Sequence, residues 1–333
     1  MTASPASESA VSAVATTAAG PAGRILPNFL VVGAAKAGTT TLHDLLGRHP
    51  EVFASPFKEP HFFAFQGERP RMMLPSGREA GINKLAITDP EAYRALFAEA
   101  GDAKAVGESS ASSLYVEAAA ARIAAWNPDM KIVVSLREPV SRAYSSFNHA
   151  RRYGIEDCAT LTEGFALEAE RIAGNFPFLL RYEAMGLYAG QIERLYRHFP
   201  AENVLIVLFE DLRDRPKETL ARIFAFLNVD PTVEVDLDVH SNAGHVPDPK
   251  NPLHRLINAD GSLVKRVGRA VLPFGLRRKL LGTVRKQLFV APPKLDPAEK
   301  RALFARFAED VDRLEPLIGR DLSHWRPSAE PRS

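Results

Sequence analysis

Three stretches of this chain carry residue types that can hold an anion or take a proton. The first is Gly33-Ala34-Ala35-Lys36-Ala37-Gly38-Thr39-Thr40-Thr41-Leu42, between the apolar run Asn28–Gly33 and a helical pattern over 38–47. Small residues let a backbone wrap closely around an anion, and the first N–H groups of a helix have no intrahelical acceptor. Lys36 adds a positive charge there, and Thr39 and Thr40 add hydroxyl donors. A glycine-rich turn with a surface lysine is the plainer reading of Gly33 and Gly38 alone. Strand, loop, lysine, Gly-Thr-Thr and helix in register favour an anion site. The second stretch, Arg137-Glu138-Pro139-Val140-Ser141-Arg142-Ala143-Tyr144-Ser145-Ser146-Phe147-Asn148-His149, follows the run Lys131–Leu136. Arg137 and Ser145 are eight residues apart, a little over two helical turns, so both can face one phosphate. Arginine supplies the planar, permanently charged fork suited to it, although alone Arg137 reads as a surface ion-pair former. The third is Lys58-Glu59-Pro60-His61-Phe62-Phe63. By itself it reads as two core phenylalanines beside a solvated carboxylate and imidazole.

The elements that must position these residues alternate. Strands are expected at 28–33, 52–54, 131–136 and 203–209, the last (NVLIVLF) being the most apolar. Helices are expected at 38–47, with Leu42, Leu45 and Leu46 inward, and at 90–100, 115–126, 139–153, 186–199 and 217–227. Residues 66–89 mix Pro, Gly and charges and read as a surface excursion. Short continuous apolar runs separated by helical patterns predict an α/β fold, a parallel sheet covered on both faces. A helical C-terminal extension follows. Asp296 is expected as its cap, Pro297 in its first turn and Glu299 to complete a capping box. Phe304, Phe307, Val311, Leu314 and Ile318 follow at spacings of three and four, predicting one helix packed on the core. No internal repeat or linker is visible. The expected organisation is a tail at 1–24, one domain at 25–326 and a tail at 327–333.

Composition removes several classes. The chain has 333 residues, is 46% hydrophobic and 25% charged, and carries 42 Lys+Arg against 40 Asp+Glu for a net charge of +2. Those values fit a soluble globular protein and give no global reason to expect nucleic acid as a partner. Cys158 is the only cysteine, which excludes an intramolecular disulfide and a thiolate zinc site within one chain. No apolar run approaches the about 18–20 residues of a membrane span. Met1–Gly23 is rich in Ala, Ser and Thr and has no Lys or Arg before Arg24, so it lacks the basic start of a signal peptide. A cytoplasmic location is the expectation.

Lys36 precedes Gly38, whereas the usual P-loop places its lysine directly after the last glycine. This altered loop resembles the 5′-phosphosulfate loop of sulfotransferases that use 3′-phosphoadenosine-5′-phosphosulfate (PAPS) and release its desulfated product, PAP. Arg137 and Ser145 match the family's 3′-phosphate ligands. Lys58-Glu59-Pro60-His61-Phe62-Phe63 resembles the Glu-x-His-Phe-Phe segment of the heparan-sulfate-type branch, whose glutamate deprotonates the acceptor. Gly186-Leu187-Tyr188 with Gln191, Glu210-Asp211-Leu212, Pro216, Phe226-Leu227 and Ile318–Trp325 follow the family's downstream order, so the resemblance spans about residues 27–325.

The resemblance implies a P-loop-like fold and in-line sulfuryl transfer from PAPS to an acceptor hydroxyl or amine. In that scheme Glu59 takes the proton and His61 orients or assists it. Lys36 steadies charge on the leaving oxygen. Lys36, Ala37, Gly38, Thr39 and Thr40 hold the 5′-phosphate, Arg137 and Ser145 hold the 3′-phosphate, and no metal is required. Gly107-Glu108-Ser109-Ser110-Ala111 lacks the lysine that some glycan-modifying members carry in Gly-Glu-Lys-x-Pro. Vertebrate Golgi members also carry a membrane anchor and often a disulfide. Both departures favour a bacterial-type member. The acceptor remains open among small molecules, glycolipids and saccharides, as does the oligomeric state.

Two other functions fit parts of the pattern. A P-loop kinase using ATP and magnesium would draw on Glu210-Asp211 after the apolar strand, a pair that serves equally well to cap a helix. A non-catalytic nucleotide-binding module would keep the loop alone. His240 and His245 lack metal-ligand spacing. Ser241-Asn242-Ala243-Gly244 stands where the family has a second loop over the 3′-phosphate. Residues 261–295 hold no Asp or Glu but nine Lys and Arg, from Lys265 to Lys294. They read either as a solvated basic face or as a peripheral contact with an anionic acceptor or membrane surface.

Overall fold

The apolar runs form a five-stranded parallel sheet in the order β2-β3-β1-β4-β5. Its strands are β1 (Phe29–Gly33), β2 (Val52–Ala54), β3 (Ala105–Ser109), β4 (Lys131–Leu136) and β5 (Val204–Leu208). This computed structural model describes residues 26–238, 246–247, 289–290 and 292–327. Adjacent side chains on β1 enter different cores, which explains the unbroken apolar run. Phe29 and Val31 pack with Leu42, Leu45, Leu46 and Ile223. Leu30 and Val32 pack with Phe62, Ile123, Val140, Ile192 and Val311. Helices α1 (Thr39–Leu46) and Pro216–Phe226 therefore cover one face. Helices Ala119–Trp126, Pro139–Arg152, Ala189–His198 and Ala308–Ile318 cover the other.

Strand β3 is the element that residue pattern hid. Its sequence AVGES contains a glycine, a glutamate and a serine, yet all five residues are buried. Gly107 is required by close approach: a Cβ there would lie 2.2 Å from the Phe29 carbonyl oxygen. Glu108 and Ser109 are buried because they face the end of the sheet where the candidate site lies, a constraint that apolar periodicity does not register.

Several boundaries also differ. The helix expected at 115–126 is two pieces, Ser112–Tyr115 and Ala119–Trp126, and that expected at 90–100 ends at Ala95. The 66–89 excursion is tied inward, with Met72 and Ala80 buried and Asn83 hydrogen-bonded to both backbone groups of Met72 at 2.9 Å. The C-terminal helix is broken into Pro297–Phe304 and Ala308–Ile318. The turn between them sends Phe307 into the core, 5.9 Å from the Phe165 ring. Asp296 caps as expected by accepting from the Ala298 and Glu299 amides. Glu299 instead accepts from the Thr162 hydroxyl at 2.9 Å, so no capping box closes. No helix among the described residues is long and apolar enough to cross a membrane. His240, His245, Ser241–Gly244 and nearly all of the basic stretch 261–295 lie outside the described residues.

Candidate active site

The loop after β1 is shaped by backbone conformation. Gly38 has φ 86°, and a Cβ there would stand 2.9 Å from the Phe209 ring. Ser135 of β4 clasps the loop: its carbonyl accepts from the Ala34 amide at 2.6 Å, and its hydroxyl donates to the Ala37 carbonyl at 2.6 Å. Ala37 is fully buried as a result, Thr39 is buried at the mouth of α1, and Thr40 is exposed. The first amides of α1 have no intrahelical acceptor and carry the positive end of the helix dipole.

Lys36 adopts φ 70° and reaches across to helix Pro139–Arg152, where its Nζ lies 3.1 Å from His149 Nδ1. Burial first, then the nearby Arg137 and Lys58, lower the Lys36 pKa to about 8. Burial and the Lys36 charge push His149 down to about 4. At neutral pH the contact is therefore an ammonium donating to a neutral imidazole. Arg137 leaves the end of β4 half-buried, with its guanidinium 4.6 Å over the Phe209 ring and Nη1 3.2 Å from the Lys36 carbonyl oxygen. No carboxylate pairs with it among the described residues, and burial lowers its pKa. Ser145 lies on the helix that follows, half-buried and without a hydrogen-bond partner among the described residues. Glu138 fixes the start of that helix by accepting from the Val140 and Ser141 amides at 2.9 Å each.

Glu59 and His61 occupy the loop after β2, both in the left-handed region at φ 59° and 56°. Strand β3 and the residues after it hold them there. The Glu59 amide donates to the Ser109 carbonyl at 3.0 Å, and Glu59 Oε2 accepts from the Ala111 amide at 2.9 Å. Glu59 Oε1 accepts from Lys58 Nζ at 2.7 Å. The His61 amide donates to Ser110 Oγ at 3.0 Å, and its Nδ1 is 2.8 Å from Ser112 Oγ and 3.8 Å from Glu59 Oε2. Burial lowers the His61 pKa. Beneath them Ser110 donates at 2.8 Å to Glu108 Oε2. Burial raises the Glu108 pKa to about 8, with the neighbouring Glu59 charge adding to the shift, so this carboxyl is protonated at neutral pH.

The two groups meet at Lys58, which grips Glu59 and whose charge depresses Lys36. The supporting residues Ser112 and Phe209 carry no motif of their own, and Ser109 and Ser110 stand out only through the lysine that their segment lacks. Position just after a buried strand, at the same sheet end as the loop, is the signal that would have found the three serines. Asp211 is engaged structurally, paired with Arg320 at 2.8 Å and Arg215 at 3.0 Å. This uses as scaffold half of the pair that a magnesium-dependent kinase would need.

Known proteins resemble this chain in sequence and in fold. A family model described as a sulfotransferase domain matches residues 26–243. Human heparan sulfate glucosamine 3-O-sulfotransferase 3B1 is 30% identical over 206 residues, covering 61% of this chain and 46% of that protein. Mouse carbohydrate sulfotransferase 15 is 27% identical over 260 residues, covering 63% of this chain and 45% of that one. The match thus spans about half the length of these curated relatives. The crystal structure of a sulfotransferase from Alicyclobacillus acidocaldarius superposes with a TM-score of 0.70 at 31% identity, covering 90% of this chain and 99% of that one. The fold is the P-loop-like α/β fold of these proteins, and the chain belongs to the sulfotransferase family.

Proposed function

We propose that this protein uses PAPS to sulfate an acceptor hydroxyl or amine. The observation that carries the reading is a cationic cradle with open donors beside a tethered carboxylate. On one side of Lys58, among the described residues, Arg137 pairs with no carboxylate and the Ser145 hydroxyl has no hydrogen-bond partner; Glu59 stands on the other side. The cradle fits a doubly phosphorylated nucleotide. Gly38 has no room for a side chain, the α1 amides are unsatisfied, and Lys36 is cationic below about pH 8. Lys36, Ala37, Gly38, Thr39 and Thr40 would hold the 5′-phosphate, and Arg137 with Ser145 the 3′-phosphate.

When bound, PAPS supplies the sulfuryl group, whose bond to the bridging oxygen breaks as the bond to the acceptor oxygen forms, leaving PAP. Glu59 accepts the acceptor's proton at a carboxylate oxygen. Its contacts with Lys58 and the Ala111 amide fill two of its roughly four acceptor positions, so others are open to a hydroxyl. His61, held by Ser112 and by its own amide, lines the same approach and orients the acceptor or Glu59. Lys36 places an ammonium where negative charge grows on the departing oxygen, the preorganised electrostatics that lower such barriers.

The test is ligand-dependent melting. PAP without magnesium should raise Tm, because a ligand bound to the native state stabilises it by mass action. Stabilisation by ATP–magnesium exceeding that by PAP would overturn the reading in favour of a kinase.

A further inference from the structure

A cleft of about 670 Å³ lies against helix Ala189–His198 and reaches Phe65, the residue whose ring neighbours His61. Its volume is within the about 300–1,000 Å³ of ordinary ligand pockets. One wall is aromatic. The Phe65 ring lies 6.5 Å from the His61 ring and stacks at 9° on Phe178, 5.9 Å away, and Tyr115 meets Phe178 at 5.4 Å. These three rings are half-buried, so each leaves part of its surface in the cleft.

The other wall is cationic. The Arg181 guanidinium lies 5.1 Å from the Phe178 ring and 5.7 Å from the Tyr115 ring. It donates to the Phe176 carbonyl at 3.0 Å and contacts the Tyr115 hydroxyl at 3.4 Å, while its Nε is buried without a partner. Arg194 donates to the Leu114 and Tyr115 carbonyls at 3.3 Å each. Neither arginine has an ion pair with a carboxylate among the described residues.

Other charges lining the cleft are committed elsewhere or stand at its rim. Glu68 pairs with Arg122, Arg313 pairs with Glu193 at 2.8 Å, and Asp310 accepts from the Tyr188 and Ala189 amides. Glu117 is exposed and forms no ion pair with either arginine. Arg194 feels the charge of Glu117 but forms no ion pair with it, and Arg181 faces no paired carboxylate among the described residues. Partly or largely buried guanidiniums so incompletely paired favour an incoming anion. Planar aromatic surface beside them suits a flat ring through stacking.

We propose that this cleft seats the body of the acceptor. We infer an acceptor that is a hydroxylated ring compound bearing an anionic group: the hydroxyl faces Glu59 and His61, the ring lies along Phe65 and Phe178, and the anion meets Arg181 and Arg194. This deepens the proposed sulfuryl transfer and rests on it.

The test uses full-length protein, PAPS and two probes, 3-(4-hydroxyphenyl)propionate and its methyl ester, in which one methyl group removes the charge. The expected KM is about tenfold lower for the acid, the size of a single charge-assisted contact. Arg194→Gln should bring the acid's KM up to that of the ester with kcat kept, and Arg181→Gln should do the same if it folds. The ratio of the two KM values is the readout, because a general loss of fold or activity does not move it. Equal KM for acid and ester, an Arg194→Gln ratio unchanged from wild type, or no transfer to the acid by an enzyme that binds PAP would each overturn the assignment. Failure of PAP to bind would instead overturn the sulfotransferase reading beneath it.

Discussion

The two sides of Lys58 satisfy their polar groups in opposite ways. On the phosphate side, Arg137 meets only a backbone carbonyl and an aromatic face, Ser145 meets nothing among the described residues, and Lys36 contacts a neutral imidazole. On the Glu59 side nearly every polar group is tied to the protein. Glu59 holds Lys58 and the Ala111 amide, His61 holds Ser110 and Ser112, and Glu108 holds Ser110. The first region is cationic and incomplete, so a polyanionic ligand with two phosphate groups removes its mutual repulsion on arrival. The second is complete in itself and keeps a base in place before any acceptor binds. Damage to the first should therefore appear as lost ligand binding, and damage to the second as lost turnover or altered stability.

The largest expected effect lies on the wired side. Glu59→Gln keeps the shape and the contact with the Ala111 amide but cannot accept a proton as a carboxylate does. Transfer should slow by about 10²–10⁴, the usual loss for a positioned base. The PAP-induced rise in Tm should persist, and His61→Ala should cost less if His61 only orients. A variant within about threefold of wild type, ~0.6 kcal/mol on the barrier, would move the base elsewhere.

Glu108 gives a stability effect of comparable size. Burial raises its pKa from 4.5 to about 8 in the folded protein. Between those values the native carboxyl keeps a proton that the unfolded chain has released. Its contribution is fully present below pH 4.5 and is lost as pH rises through about 8. The loss amounts to about 1.4 kcal/mol per pH unit while the two states differ. Glu108→Gln does not titrate, so the variant's stability should gain on wild type steadily as denaturant melts move from pH 5 toward pH 8. A constant difference across that range would show that Glu108 is ionised in the fold.

This contrast also decides what could be read from residues alone. The phosphate side is local in sequence: Gly33–Leu42 and Arg137–His149 each follow a largely apolar strand, and spacing along one loop or one helix sets which groups converge. The Glu59 segment was visible as a motif, but its support was not. Strand β3 carries Gly107 because Phe29 passes too close, and Glu108 and Ser109 because they underlie the site. Each of those needs breaks the apolar pattern that reveals a strand. The Ser110 and Ser112 contacts with His61 join residues 49 and 51 positions apart, and only the parallel pairing of β2 with β3 brings them together. The break at Ala305–Phe307 leaves no trace in the residue pattern for a related reason. Phe304, Phe307 and Val311 keep helical spacing across a turn that is not helical.

On the phosphate side, Arg137→Ala should weaken PAP by about 1.5–3 kcal/mol, the value of a hydrogen bond to a charged group, or about 10- to 150-fold in Kd. Adenosine 5′-phosphosulfate, which lacks the 3′-phosphate, should lose far less. Equal losses for both nucleotides in parallel titrations would show that Arg137 supports the loop through the Lys36 carbonyl and reads no 3′-phosphate.

The smallest effect is the one that tests charge without removing an atom. Burial together with the fields of Arg137 and Lys58 lowers the Lys36 pKa from 10.5 to about 8. Lys36 is an ammonium below that pH and an amine above it. The second ionisation of a phosphate ester lies near pH 6, so PAP keeps a constant charge from pH 7 upward, and His149, at about 4, stays neutral throughout. Lys36 is then the group at this contact that changes charge near pH 8. If PAP binds the ammonium form, Kd should rise about tenfold between pH 7 and pH 9, approaching one decade per pH unit. Lys36→Arg keeps its charge over that range, so its Kd should stay level even if its absolute affinity differs. A wild-type Kd that is level as well would mean that the Lys36 ammonium does not face the nucleotide, and the open, cationic side of the comparison would then rest on Arg137 and the α1 amides.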